Sequence, residues 1–207
     1  MDVYFVRHGE TAHNRSHTHQ SPSASLSEKG REQAVTIAEE LRPLNPTLLI
    51  TSEYERTRET AHIIGRMLEL TPVVNTLFHE IERPTELYGL SHFNLHTLRY
   101  VVLSILNRNR PKWRMSDAEN FSDIQKRIDS ALNFLESCEG KHQSIVVVSH
   151  TIFINLMLAY MHHERSISLF RLIPYLSLIL RMHNGAITHI KHTTQGNSRA
   201  HSWNQGV

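Results

Sequence analysis

The chain has a single cysteine, Cys138, among 207 residues. One thiol cannot form an intramolecular disulfide, so a reducing compartment is the simpler expectation. Long apolar runs are also missing. The longest, residues 172–180, is interrupted by Pro174 and Ser177 and is far shorter than the ~20 residues that a membrane-spanning helix needs. We therefore expect a cytoplasmic protein with no membrane partner.

An excess of charge of one sign is absent as well. There are 22 lysines and arginines against 20 aspartates and glutamates, which gives a formal net charge of +2. Because no block of like charge dominates, nucleic acid is not an expected partner. The first apolar run begins at Val3, which leaves no room for a charged and apolar leader, so we expect no targeting segment. A chain of this length can bury one continuous core, and we expect one domain.

What the sequence does contain is a pair of apolar segments that each lead into a histidine. Residues 3–6 lead toward His8, and residues 144–148 lead toward His150, which a helical pattern follows. Continuous apolar strands of this kind are buried on both faces of a parallel sheet. Ligands of such sheets bind beyond the carboxyl ends of the strands, so we expect both histidines at one site.

The first junction carries the residue types that phosphoryl chemistry needs. Arg7 can present a planar fork of donors to a phosphate, and His8 is a nitrogen nucleophile near neutral pH. Gly9 allows the backbone to approach a ligand closely. The chain has 16 histidines, however, so an ordinary polar turn at a strand end stays open as an interpretation.

A second cation lies after the next predicted strand, residues 47–51. Arg56 falls in the first turn of a predicted helix, where a positive charge is unfavourable for the helix dipole unless an anion binds there. The alternative is a surface arginine neutralised by neighbouring glutamates. A third strand is predicted over residues 72–77, and Glu80 and Glu82 follow it. Their alternation cannot choose between them, and an ordinary acidic loop is the other interpretation.

The segment after these glutamates interrupts the alternation of strands and helices. An apolar stripe over residues 93–105 predicts a helix, and the basic segment 108–114 follows it. A segment inserted at this point is a natural lid, and its cations could hold a second anionic group of a substrate. A basic segment of this kind is more often solvated surface, and that interpretation stays open beside the first. Beyond His150, residues 176–181 and 186–190 predict a hairpin around an Asn-Gly turn.

Four separated motifs are similar in order and spacing to those of one known family. They are R-H-G-E-T at residues 7–11 followed by Asn14, S-x-x-x-R-x-x-x-T-A at residues 52–61, the L-x-x-E context of Glu80, and the strand-to-histidine junction at His150. With this set the chain resembles the histidine phosphatase superfamily, which includes the cofactor-dependent phosphoglycerate mutases. The stretch 26–34 also resembles the first helix of that family.

The resemblance implies a fold and a domain plan. The expected fold is a three-layer α/β/α sandwich with a mainly parallel central sheet and a helical insertion over the site. The domain would cover residues 1–190, with the insertion at about residues 85–116. Residues 191–207 lack periodicity and are predicted to be a mobile tail.

The resemblance also implies roles for individual residues. The arginine of the second motif binds the transferred phosphate in the family, and Arg56 matches it whereas Arg58 does not. A glutamate protonates the leaving oxygen, which implies Glu80, with Glu82 in reserve. The family usually has glycine after its second histidine, where this chain has a threonine. The implied catalytic residues are His8, Glu80 and His150, and the implied substrate-binding residues are Arg7, Asn14, Arg56 and Thr151.

The expected activity is hydrolysis of phosphomonoesters through a phosphohistidine on His8, with no metal and no cofactor. Several cations around His8 should keep its ring unprotonated. The alternatives are phosphoglycerate mutase-type transfer and a non-catalytic protein that binds a phosphorylated ligand. A metal-dependent hydrolase built on His13, His17 and His19 is a weaker reading. A small phosphorylated substrate is the expected partner, and monomer and homodimer both stay open.

Overall fold

A six-stranded sheet forms the centre of the chain, in a computed structural model that describes residues 1–107, 109–162, 182–195 and 200–205. The strand order is β3-β2-β4-β1-β5-β6. The first four strands in that order are parallel, and β5 and β6 are antiparallel to their neighbours. The strands are β1 (Asp2–Arg7), β2 (Leu48–Thr51), β3 (Val73–Val74), β4 (Ser144–Ser149), β5 (Ile187–Gln195) and β6 (Ala200–Gln205).

Helices connect the parallel strands, because two parallel neighbours cannot be joined by a tight turn. The register places Arg7 of β1 opposite Ser149 of β4, so the two predicted junctions end at the same edge of the sheet. The helices are α1 (Ala12–Ser16), α2 (Glu28–Leu41), α3 (Glu55–Leu68), α4 (Leu95–Leu106), α5 (Phe121–Ser137) and α6 (Thr151–His162).

The core has one apolar cluster on each face of the sheet. Alternate strand residues supply the two faces, as the pleat requires. One cluster joins Phe5 and Val147 to Leu132 of α5, and the other joins Val148 to Ile64 of α3. The predicted three-layer sandwich with a mainly parallel sheet is therefore confirmed.

Two glycines bring the first loop against α2. A Cβ atom on Gly9 would lie 2.3 Å from the carbonyl oxygen of Gly30, and one on Gly30 would lie 2.1 Å from that of Glu10. Real Cβ atoms do not approach backbone this closely, so only glycine fits at either position. The contact fixes the backbone that follows His8.

The predicted insertion helix is present as α4, but its apolar stripe faces outward. Phe93 is 89% exposed, Leu95 76% and Leu106 69%. The inward side is polar: Thr97 is buried, and its hydroxyl lies 3.0 Å from Nε2 of His19. Periodicity identified the stripe correctly but could not show which side of the helix meets the protein.

The end of the chain differs from the predicted mobile tail. β5 continues to Gln195 and pairs with β1, and β6 pairs with β5 from Ala200 to Gln205. Pairing with a neighbouring strand satisfies backbone hydrogen bonds, and such pairing leaves no local pattern in the sequence. The first arm of the predicted hairpin, residues 176–181, lies outside the described residues. The third strand is shorter than predicted, because a 3₁₀ turn over Thr76–Phe78 follows it.

Among the residues that the structure describes, no helix combines the length and the apolar character needed to cross a membrane.

Candidate active site

His8 lies at the carboxyl end of β1 and is only 3% exposed. The Nε group of Arg56 donates to Nε2 of His8 at 3.2 Å. Because an arginine can only donate, Nε2 carries no proton. The ring proton is therefore on Nδ1, which donates to the carbonyl oxygen of Gly9 at 2.7 Å. This leaves a lone pair on the nitrogen that faces Arg56.

Arg56 connects the two histidine junctions. It lies in the first turn of α3, as predicted, and is 3% exposed. Its Nη2 lies 3.2 Å from Nδ1 of His150, and its Nη1 donates to the carbonyl oxygen of Ser21 at 3.0 Å. The rings of His8 and His150 are 5.3 Å apart. One guanidinium group thus contacts both imidazoles.

His150 is fully buried, and its second nitrogen is also engaged. Since Nδ1 accepts from Arg56, Nε2 carries the proton and donates to the hydroxyl of Ser52 at 2.8 Å. That hydroxyl lies 2.7 Å from the hydroxyl of Thr57, which fixes its orientation. The ring of Tyr54 packs edge-on against His150 at 5.1 Å and lies under the guanidinium of Arg56 at 4.9 Å. Hydrogen bonds and ring contacts therefore hold His150 in place.

Burial and positive charge keep both imidazoles neutral. Burial is the main cause that lowers the pKa of His8 well below its ordinary value, and the charges of Arg56 and Arg7 lower it further. The pKa of His150 is lowered for the same reasons, burial first and Arg56 next. Burial also lowers the pKa of Arg56 to about 10, which leaves the guanidinium charged at neutral pH. The sequence predicted an unprotonated His8 from the surrounding cations alone, and the structure adds burial as the larger cause.

Glu80 lies at the amino end of α6, beside the second histidine junction. Its carboxylate accepts from the backbone N–H of Phe153 at 3.0 Å and of Ile152 at 3.3 Å. A negative charge is favourable at this end of a helix. Glu80 is 8% exposed, whereas the side chain of Glu82 is 47% exposed and lies 3.9 Å from His79. The structure brings Glu80 to the site and leaves Glu82 outside it.

The other predicted site residues surround this group. Arg7 donates through Nη1 to the carbonyl oxygen of Met182. Burial lowers the pKa of Arg7, and the nearby carboxylate of Glu80 opposes that change. Asn14 lies in α1 and accepts through Oδ1 from the backbone N–H of Thr11 at 3.1 Å. Thr151 is the first residue of α6 and is 9% exposed.

Three supporting residues were not predicted as part of the site. Asn184 donates through Nδ2 to the carbonyl oxygens of His8 at 3.2 Å and Gly9 at 3.3 Å, and so connects the turn before β5 to the loop after β1. Thr60 accepts from the backbone N–H of Gly9 at 3.1 Å, and Ser52 contacts His150. Ser52 and Thr60 are spaced by four on either side of Arg56, which is a usable signal in the sequence. Asn184 has no such signal, because its Asn-Gly pair indicates only a turn.

The histidine cluster near the amino terminus has other contacts. His13 lies 2.9 Å from the hydroxyl of Thr18. His19 contacts Thr97, and its ring is tilted by 57° against that of His92, with 4.6 Å between the ring centres. Burial lowers the pKa of His19 to about 4, with the charge of Arg83 as the next cause. In the part of the chain that the structure describes, no three ligand-type side chains are placed to bind a metal ion.

The basic segment of the insertion is engaged elsewhere. Arg114 forms an ion pair with Asp123 at 2.8 Å, and Arg110 donates to Asn107 at 3.0 Å. Arg108 lies outside the described residues. The described part of this segment therefore has its ionic contacts away from His8 and His150.

The arrangement suits an anion with several oxygens. Two guanidinium groups supply donors around Nε2 of His8, the ring of His150 lies beside them, and a carboxylate lies next to this group. Fixed donors in a buried site stabilise charge that develops on equatorial oxygens during phosphoryl transfer.

Comparison with known proteins identifies relatives of the whole chain. Residues 3–206 match the sequence model of the histidine phosphatase superfamily, branch 1. The chain is 27% identical over 205 residues to the probable phosphatase C1687.21 of Schizosaccharomyces pombe, which covers 98% of this chain and 92% of the relative. It is 28% identical over 171 residues to the probable phosphoglycerate mutase GpmB of Erwinia tasmaniensis, and this match covers 77% of the chain and 74% of the relative.

Solved structures show the same fold. Mycobacterial hydrolase 1 superposes with a TM-score of 0.76 at 23% identity, covering 100% of this chain and 96% of the other. A putative alpha-ribazole-5'-P phosphatase of Escherichia coli superposes with a TM-score of 0.74 at 19% identity, covering 100% and 95%.

Proposed function

The chain belongs to the histidine phosphatase superfamily, and from this premise we propose that it hydrolyses phosphomonoesters through a phosphohistidine formed on His8. One observation carries the proposal. The unprotonated Nε2 of His8 faces a guanidinium that also contacts His150, so the nucleophile and the donors for a phosphate converge. The probable phosphatase among the relatives supports the same reaction class.

In the first step, the lone pair of His8 Nε2 attacks phosphorus and the bond to the ester oxygen breaks. Glu80, in its protonated form, gives its proton to that oxygen, and the alcohol leaves. Arg7, Arg56 and the Nδ1 side of His150 surround the three remaining oxygens. For His150 this requires Nδ1 to carry a proton when phosphate is bound, so that it donates to a phosphate oxygen in place of accepting from Arg56.

In the second step, water attacks the phosphohistidine. The carboxylate of Glu80 takes a proton from the water as the P–N bond breaks, which releases phosphate and restores neutral His8. Nδ1 keeps its proton and its hydrogen bond to the carbonyl oxygen of Gly9 throughout, so Nε2 is the nitrogen available for the next cycle. Glu80 therefore acts first as an acid and then as a base.

The proposal includes independence from metals. Arginines placed around the transferred group supply the positive charge that Mg²⁺ supplies in kinases. We expect activity to survive an excess of EDTA. Asn14 and Thr151 complete the proposed phosphate site, and a small phosphorylated substrate in the cytoplasm is the proposed partner.

A mutase is the second candidate, because a curated relative is named as a probable phosphoglycerate mutase. A mutase must keep water from the phosphohistidine while its substrate reorients, which favours long enclosing insertions. Among the residues that the structure describes, α4 is the one insertion helix, so we favour hydrolysis. A stable phosphohistidine and little free phosphate after mixing with 2,3-bisphosphoglycerate would instead identify the mutase.

The test is to trap the phosphoenzyme. The wild-type protein, mixed with a labelled phosphomonoester and quenched in alkali, should carry an acid-labile phosphate on the peptide that contains His8. His8→Ala should lose the label and nearly all turnover. His62→Ala removes an exposed histidine of α3 and is the matched control, which should keep both. Turnover by His8→Ala near the wild-type rate would refute the mechanism.

A further inference from the structure

Arg127 of α5 forms a buried ion pair behind the loop that carries Glu80. Its Nε and Nη2 groups donate to the two carboxylate oxygens of Glu119 at 2.8 Å and 2.6 Å, and the two side chains are 10% and 9% exposed. This parallel pair of hydrogen bonds is the strong form of an arginine–carboxylate contact. A buried ion pair is weak evidence for stability, since apolar side chains of similar volume often replace one without loss. Its position therefore calls for another reason.

The guanidinium of Arg127 also holds the backbone that precedes Glu80. Its Nη1 group donates to the carbonyl oxygen of Leu77 at 3.2 Å and to that of His79 at 2.9 Å. Because an arginine carries several donors in one rigid plane, these contacts and the ion pair with Glu119 are made together. The last turn of backbone before Glu80 is thus fixed by a residue that lies 48 positions from His79.

Glu119 holds the backbone that follows Glu80. Its carboxylate accepts from the N–H of Glu82 at 3.1 Å, and its own N–H donates to the carbonyl oxygen of Glu82 at 3.1 Å. Arg127 and Glu119 therefore bind the loop on the two sides of Glu80, and the ion pair joins these two supports. A shift of either partner would move the loop at both places.

A third contact of Arg127 reaches the helix that binds the carboxylate of Glu80. The guanidinium carbon lies 4.6 Å from the centre of the Phe153 ring, which is the geometry of a cation–π contact. The N–H of Phe153 is the group that donates to the Glu80 carboxylate at 3.0 Å. One side chain of α5 thus contacts both the loop that carries Glu80 and the residue of α6 that holds its carboxylate.

We propose that Arg127, paired with Glu119, is a positioning residue for Glu80 and sets the distance between its carboxyl group and the leaving oxygen. Arg127 does not touch the substrate in this role, because its donors are already bound to Glu119 and to the loop. The inference deepens the proposed function and rests on it. A displacement of about 1 Å at a reacting group can lower a rate about 10²-fold, so rigid support of the acid has a measurable effect.

The test uses Arg127→Lys, which keeps a positive charge opposite Glu119 but loses the planar fork of donors. For glycerol 3-phosphate, whose alcohol needs a proton to leave, kcat should fall about 10- to 100-fold, as for a misplaced catalytic group. For 4-nitrophenyl phosphate, whose leaving group needs no proton, the rate of phosphoryl transfer to His8 should change little. The ratio of the two rates, measured on one preparation, does not depend on the fraction of protein that is folded.

Two further variants separate positioning from a general effect on the fold. In Glu80→Gln the carboxyl group has no proton to give, so adding Arg127→Lys should cause no further loss for glycerol 3-phosphate. The combination of Arg127→Met with Glu119→Gln leaves no unpaired buried charge and keeps an oxygen for the N–H of Glu82. It should show the same selective loss as Arg127→Lys.

Arg114→Lys is the matched control, because it makes the same change in a half-exposed arginine that is paired with Asp123, and it should keep the wild-type ratio. Equal losses for both esters in Arg127→Lys, the same loss with and without Glu80→Gln, or a wild-type ratio in both Arg127 variants would overturn the inference and leave Glu80 as the acid. If Glu80→Gln itself loses equally on both esters, the proposed acid is wrong, and the inference falls with it.

Discussion

At the scale of single residues, the hydrogen-bond partners of His8 and His150 determine which nitrogen of each ring carries the proton. Arg56 has no acceptor, so both imidazole nitrogens that it contacts must be unprotonated. The opposite nitrogens then bind the carbonyl oxygen of Gly9 and the hydroxyl of Ser52. A single arginine therefore selects the tautomer of both histidines.

Glu80 gives a prediction about leaving groups. Glu80→Gln keeps an oxygen for the N–H groups of α6 but has no proton to give to an alkoxide. We expect kcat for alkyl phosphates to fall about 10²- to 10⁴-fold, the usual contribution of general acid catalysis. With 4-nitrophenyl phosphate, the rate of phosphoryl transfer to His8 should fall much less, because this leaving group departs without a proton. Steady-state and burst kinetics on both substrates measure the difference.

The control for this prediction is Glu82→Gln. Its carboxylate is half-exposed and lies outside the site, so both substrates should react as with the wild type. A similar loss in both variants, or an equal first-step loss for both substrates in Glu80→Gln, would exclude Glu80 as the acid.

At the scale of elements, α4 and α5 have similar apolar patterns and opposite environments. Leu98 on α4 is 58% exposed, whereas Ile128 on α5 is completely buried. Burial is a property of the neighbours of a helix and not of its own periodicity. The two helices therefore differ in how much each apolar side chain stabilises the fold.

This contrast predicts two different effects on stability. Leu98→Ala should change the free energy of unfolding by less than about 0.5 kcal/mol, as for an exposed position. Ile128→Ala should lower it by about 2–5 kcal/mol, because it removes buried methyl groups and leaves a cavity. Urea unfolding followed by circular dichroism measures both. A loss of several kcal/mol in Leu98→Ala would show that the outer face of α4 is buried in the folded protein.

At the scale of the whole molecule, the neutral buried histidines couple folding to pH. The pKa values of His8 and His150 are lowered in the folded state, whereas an unfolded histidine titrates near 6.5. Below pH 6.5 the unfolded chain binds protons that the folded chain does not. The contribution of these two neutral histidines to the free energy of unfolding is therefore fully present above this pH and decreases as the pH falls.

We expect the free energy of unfolding to decrease from pH 7 to pH 5, with a slope of up to about 1.4 kcal/mol per pH unit for each such histidine. His8→Asn should make the pH dependence of the free energy of unfolding shallower by the contribution of one histidine. His62→Asn, which changes an exposed side chain, should keep the wild-type slope. Urea titrations at several pH values provide the measurement, and equal slopes in wild type and His8→Asn would contradict a neutral folded His8.

Much of the architecture could be predicted from local patterns. Continuous apolar runs identified β1 and β4, and the spacing of Arg56 within its motif placed it in the first turn of α3. Alternation could not separate Glu80 from Glu82, because both lie on the same side of an extended strand; the resemblance preferred Glu80, and its contact with α6 distinguishes it in the structure. The exposure of the apolar side of α4 was not predicted either, because periodicity does not show whether that side faces the protein or the solvent.

The sequence alone establishes the parallel core, the two strand-to-histidine junctions and the family, because each depends on residues close together in the chain. The contacts that make a site from these parts join distant residues. Arg56 lies 48 residues from His8 and 94 from His150, and Asn184 lies 176 residues from the backbone that it holds. The tautomers of the two histidines and their lowered pKa values arise from such contacts. Folding creates them, since desolvation and convergence of charge exist only once separate strands are packed together.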